Sequence, residues 1–181
     1  MSIGYWGTAF SNNILRAGKH YVTFELTIGN YGTFWLGVMR PGQANENASG
    51  TPLLSDLFEN FSRRFVHGEH NNNNYNSCMY NTDCGDCHSS TWNDSHDLDI
   101  DDTGNWEGME TLHSDGEIGM LLDLDEGTLS VYKNGRFLGV MKRGLAGPYC
   151  WAASIYRGEM GTSSHVTIRR GSIPLLTARE E

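Results

Sequence analysis

The sequence predicts an all-β chain, an antiparallel β-sandwich with one short helix and a long irregular central loop. Three observations carry this. Apolar residues alternate with period two in stretches toward both ends of the chain. An Asn-Gly pair at 134 and 135 lies between two such stretches, a strong short hairpin signal because both turn positions take positive φ. No strand–helix–strand rhythm is present, so a parallel α/β sheet has no support. With 181 residues, including eight Tyr, seven Phe and five Trp, the chain can bury one sizeable core, and residues 1–181 read as a single domain.

In HYVTFELTI, residues 20–28, Val22, Phe24, Leu26 and Ile28 point one way while Tyr21, Thr23, Glu25 and Thr27 point the other. TFWLGVMR, 33–40, follows the turn residues Gly29, Asn30 and Gly32 and completes a hairpin. TPLLSDLFENFSRR, 51–64, is the helix: Thr51 caps it, Pro52 suits its first turn, and Leu54, Leu57, Phe58 and Phe61 share a face. Residues 67–113, with the tetrad Asn71 to Asn74 and many Asp, Ser, Gly and Cys, read as a long loop or short irregular strands. Alternation returns in EIGMLLDL, where Ile118, Met120, Leu122 and Leu124 share a face. TLSVYK (128–133), RFLGVMK (136–142), PYCWAASIY (148–156) and SHVTIRR (164–170) bring the strands to at least seven. Trp35, Trp151, Phe24, Leu122 and Val131 are assigned to the core.

The net charge of −9 is unevenly spread. Residues 65–132 hold fifteen Asp or Glu and no Lys or Arg, whereas 133–181 hold eight basic and three acidic residues. A strongly negative face disfavours nucleic acid and anionic membrane as partners and leaves room for a basic protein or a cation. No apolar run approaches the ~20 residues of a membrane span, and MSIGYWGTAF lacks the basic and apolar regions of a secretory signal. A cytoplasmic or otherwise intracellular location with reduced cysteines is expected.

The segment from Asp115 to Ile155, DGEIGMLLDLDEGTLSVYKNGRFLGVMKRGLAGPYCWAASI, resembles the central signature of SPRY (B30.2-like) domains. The matching positions include Asp115, Gly116, Leu122, Asp123, Gly127, Tyr132, Asn134, Gly135, Leu138, Gly139, Pro148, Ala153 and Ser154. GKHYVTFEL and TFWLGVMR resemble the family's early strands, so the resemblance is carried by 18–40 and 113–170. It implies a SPRY-type sandwich and a non-catalytic module that binds a partner protein or peptide through its rim loops. Where some peptide-binding members have Trp-Gly after this last strand, the chain has Tyr156-Arg157-Gly158. Tyr31, Arg40, Tyr156 and Arg157 are the candidate contacts, since aromatic and Arg side chains dominate interface energetics.

Other chemistry has candidate residues. Cys84-Gly85-Asp86-Cys87-His88 has the Cys-x-x-Cys-His spacing of haem attachment, but it lies among Asn, Asp and Ser with no apolar helix to wrap a haem. Cys78, Cys84 and Cys87 with His88 form the alternative zinc set, without the usual second ligand pair. Asp99, Asp101, Glu107 and Glu110 take calcium-loop positions 1, 3, 9 and 12, with Gly104 at position 6, but helical flanks are missing. No cofactor is therefore expected, and zinc is the alternative. Phosphate-loop, dinucleotide, nucleophile-elbow and zinc-protease motifs are all missing, and no enzyme is expected. Asp123 and Asp125 share a strand face but also mark entry to a tight turn. The competing function is a metal-stapled or calcium-dependent lectin-like sandwich, with Trp92, Trp106 and Asn105 as its sugar contacts.

Overall fold

The computed structural model describes residues 5–29, 32–40, 77–89, 104–157 and 163–174. The helix expected over 51–64, the asparagine tetrad, Tyr31, Trp92, Asp99 and Asp101 lie outside the described residues. The described residues hold ten strands and no α-helix. They are β1 (Tyr5–Phe10), β2 (Lys19–Thr27), β3 (Gly32–Met39), β4 (Ser77–Asn81), β5 (Cys87–Ser89), β6 (Gly116–Asp123), β7 (Thr128–Lys133), β8 (Arg136–Arg143), β9 (Cys150–Arg157) and β10 (His165–Arg170). They form two antiparallel five-stranded sheets, ordered β1-β9-β3-β4-β5 and β10-β2-β6-β7-β8.

The alternating rows face each other across the sandwich. Val22, Phe24 and Leu26 of β2 join Ile118, Met120 and Leu122 of β6 and Leu129 and Val131 of β7. Phe34, Leu36 and Val38 of β3, Tyr80 of β4 and Trp151 of β9 close the core from the other sheet. The ring edge of Phe24 meets Trp151 across the sheets at 6.2 Å, an arrangement that favours edge-to-face contact. Asn134 (φ 50°) and Gly135 (φ 77°) turn β7 into β8 as the Asn-Gly signal predicts.

Two expectations change, and a third is resolved. β2 and β3 do not form the expected hairpin: β2 pairs with β10 and β6 in one sheet, and β3 with β9 and β4 in the other. Within the central segment, read as a long loop or short irregular strands, β4 and β5 are short paired strands. Trp35 is not in the inter-sheet core. Its strand neighbours Phe34 and Leu36 point inward, which turns Trp35 onto the outer face with Met39, Met79, Cys150, Ala152 and Phe10. That face is itself buried, with Met79 and Ala152 fully so.

The carboxylates at 123 and 125 serve the turn after β6. Asp123 Oδ1 accepts the N–H groups of Asp125 and Glu126, its Oδ2 meets Lys19 Nζ at 2.8 Å, and Asp125 Oδ1 accepts Gly18 N–H. The Lys19 contact, helped by the two turn N–H groups, holds the Asp123 carboxyl below the usual range, despite the opposing effect of its burial. A depressed carboxyl adds stability above the pKa of the unfolded chain, about 3.9, and loses it as pH falls through the lower folded value. Asp123→Asn should therefore lower stability at neutral pH and flatten the acid limb between about pH 5 and pH 2. Urea unfolding across that range measures both effects; parallel wild-type and variant profiles would count against the ion pair.

Candidate functional site

Short hydrogen-bonded segments build one end of the sandwich. At the exit of β4, Thr82 is completely buried. Its N–H donates to Phe34 C=O at 3.0 Å, and its Oγ1 accepts Phe34 N–H at 3.1 Å. The hydroxyl thus does the work of a ladder carbonyl, and the Thr82 C=O accepts Leu112 N–H at 2.8 Å instead. This bond brings the segment before β6 against the end of β3. The following turn is set by Asn81, whose Oδ1 accepts Asp83 N–H at 3.0 Å. Thr33 Oγ1 donates to Asp83 Oδ2 at 2.6 Å, fixing that carboxylate at the rim.

These elements enclose an open cavity of about 490 Å³ between the sheet ends. Leu112, nearly fully buried, and Ile28 give it apolar surface. Gly29, Gly32 and Thr33 line the β2–β3 connection, and Asp83, His113 and Tyr156 complete the lining. Asp115 Oδ1 accepts Ile28 N–H at 2.8 Å and Ser164 Oγ accepts Gly29 N–H at 2.9 Å, so side chains hold that connection from two sides. A Cβ at Gly32 would lie 2.3 Å from Ser164 Oγ, so a side chain there would have to displace that hydroxyl.

Tyr156 pairs with Thr33 and so lies at this rim, on a surface with Asp83. The backbone of Arg157 follows it at the end of β9, opposite Gly32. Arg40 is elsewhere. The β3–β9 register places it beyond the Met39–Cys150 pair, at the opposite end of the sheet. There its guanidinium donates to Ala146 C=O and stands 5.3 Å from the centre of the Tyr149 ring, a cation–π contact. The structure therefore does not join Arg40 and Tyr156 in one surface. Asp83, Thr33 and Leu112 line the cavity but carry no signal in the sequence beyond the acidic turn composition around Asp83.

The Cys-x-x-Cys segment is a hairpin turn. Gly85 adopts φ 77°, and a Cβ there would lie 2.5 Å from Glu110 C=O, so glycine suits both the turn and the packing. Cys87 faces the core with Cys78, their Sγ atoms 3.6 Å apart. His88, the next residue along the strand, faces outward to Asp86 at 2.9 Å and to the Trp35 ring at 4.3 Å. Alternation therefore separates His88 from the two buried thiols, and the set Cys78, Cys84, Cys87 and His88 is not assembled. Among the described residues no group of three His, Cys, Asp or Glu side chains could hold a metal ion.

Glu110 is engaged by Arg136, at 2.7 Å from both carboxylate oxygens, and by Lys133 at 3.3 Å; Arg136 is the largest influence holding it below the usual carboxylate range. Glu107 stays exposed. Trp106 is not a free sugar platform: it packs on the core, meets Tyr80 edge-on and donates its indole N–H to Gly85 C=O at 2.8 Å. Ser164 and His165, an adjacent nucleophile and base type, fall where the β2–β10 pairing begins, and Ser164 is committed to Gly29. No described helix is long and apolar enough to cross a membrane.

No protein-family model matches the sequence, and no curated protein matches it. Among solved structures, the chain is similar to the SPRY domain of human HERC1, with 16% identity and a TM-score of 0.55 over 93% of this chain and 84% of that one. It is similar to the TRIM65 PSpry domain at 15% identity, TM-score 0.42, over 82% and 67% of the two chains. A Bacillus subtilis protein of unknown function with a galectin-like fold aligns at 8% identity, TM-score 0.49, over 91% and 77%. The first likeness, together with the two antiparallel sheets, establishes the fold: this is a SPRY-type β-sandwich.

The four cysteines report on this geometry. Cys84 is exposed, whereas Cys78, Cys87 and Cys150 are buried; burial is also what most raises the Cys150 thiol, to about 11. A thiol-reactive chromophore added to native protein should modify Cys84 alone, and all four cysteines after unfolding. Fast labelling of Cys78 or Cys87, located by peptide mass mapping, would contradict their place in the core.

Proposed function

We propose that the chain is a protein-interaction module, and that a short segment of its partner lies across the cavity at the Tyr156 end of the sandwich. The supporting observation is the cavity itself. It opens between the ends of the two sheets, its lining comes from separate segments pinned by buried or side-chain-anchored hydrogen bonds, and it presents an aromatic residue. Pre-positioned groups bind with a smaller ordering cost than flexible ones. A sandwich turns its apolar rows inward, so its rim connections are what a partner meets. The fold shared with the HERC1 SPRY domain supports the same reading.

Arg40 is not part of this surface and acts on stability through Ala146 and Tyr149. Peptides selected on the wild-type chain from a random-peptide display library should bind Tyr156→Ala at least ~10-fold more weakly, a loss of about 1.4 kcal/mol. Arg40→Ala should leave their affinity unchanged and lower the unfolding midpoint. Isothermal titration with thermal unfolding separates the two; a ligand lost with Arg40 but insensitive to Tyr156 would place the interface at the other end of the molecule.

A further inference from the structure

The contents of the cavity restrict what enters it. Its described lining holds one carboxylate, Asp83, and neither lysine nor arginine. Thr33 satisfies Asp83 Oδ2, and among the described residues Oδ1 has no hydrogen-bond partner. A second carboxylate, the exposed Asp115, accepts the N–H of the lining residue Ile28. Both belong to the stretch 65–132, which contains no Lys or Arg. An acidic side chain entering here meets like charge with no lysine or arginine to offset it; His113 is the imidazole of the lining. A purely apolar one strips water from the Asp83 carboxylate without replacing its hydrogen bonds. A lysine or arginine satisfies both surfaces. Its methylene stem packs on Ile28 and Leu112, and its head group donates to Asp83 beside the Tyr156 ring.

We infer that the rim cavity selects a partner segment carrying a lysine or arginine, with Asp83 as the residue that sets this preference. The inference rests on the rim reading above and goes one step further, to the chemistry of the partner. Asp83 is exposed, and Asn81 fixes its backbone N–H, so changing its charge does not disturb the core. Asn at this position still accepts from Thr33.

The test uses a random-peptide display library selected in parallel on the wild-type chain, Asp83→Asn and Asp83→Lys, with unfolding midpoints recorded for each. Wild type should enrich peptides with Lys or Arg at one fixed position. Replacing that residue by Met in a selected peptide should weaken binding about 10-fold, as should Asp83→Asn, and the two changes together should cost little more than either alone. Asp83→Lys should enrich Asp or Glu at the same position. Selected peptides that depend on Tyr156 but show no basic preference, or are indifferent to Asp83→Asn, overturn the inference and leave the rim reading standing. If no selected peptide depends on Tyr156, the rim reading itself falls.

Discussion

The hydroxyl of Thr82 is the constraint on which the rim depends. In a regular antiparallel pair Phe34 and Thr82 would exchange two backbone hydrogen bonds. Here the side chain takes one of them, and the freed carbonyl reaches the other layer at Leu112. One buried residue therefore ends the β3–β4 ladder, seats the segment before β6, and starts the turn that presents Asp83. Buried N–H groups are almost always paired, so no apolar side chain can replace this function even at equal volume. The cavity lies beside this bond, with Leu112 and Asp83 in its lining.

The sandwich divides its labour between interior and rim. Apolar rows from both sheets form the core, and a second apolar group covers the outer face of β3, β4 and β9. Two carboxylates of the acidic stretch are engaged by basic side chains from outside it, Glu110 by Lys133 and Arg136 and Asp123 by Lys19. Asp83 differs in that its described partner is a neutral hydroxyl, which leaves its charge available at the rim.

Strands whose core residues alternate with polar, small or aromatic ones were legible in the sequence. β2 alternates because one side is only partly covered. β6 and β7 alternate because Gly119, Ser130 and Tyr132 interrupt their apolar rows, although they too are buried. Asn134-Gly135 marks its turn because few other pairs tolerate that backbone. β4 was not legible. All five residues of SCMYN are buried, so period two leaves no trace. For the same reason TFWLGVM could not say whether Phe34 or Trp35 faced inward. The Cys-x-x-Cys spacing arose from a hairpin turn with glycine at a positive-φ position, and from a thiol pair facing the core. Tyr156, which lines the cavity, stands out in the sequence only through the family resemblance. Its neighbours Asp83, Thr33 and Leu112 come from distant segments, and only tertiary pairing brings them together.

The most direct test of this account is residue-resolved amide hydrogen exchange on wild type, Thr82→Ser and Thr82→Val. Serine keeps the acceptor; valine keeps the shape and removes it, leaving the Phe34 N–H buried without a partner at a cost of about 1–3 kcal/mol. The account predicts that Thr82→Val speeds exchange at Phe34 and Leu112 selectively, while core amides such as that of Leu122 change only with global stability and Thr82→Ser stays close to wild type. Uniform acceleration at all three amides, or unchanged protection at Phe34 and Leu112, would contradict it.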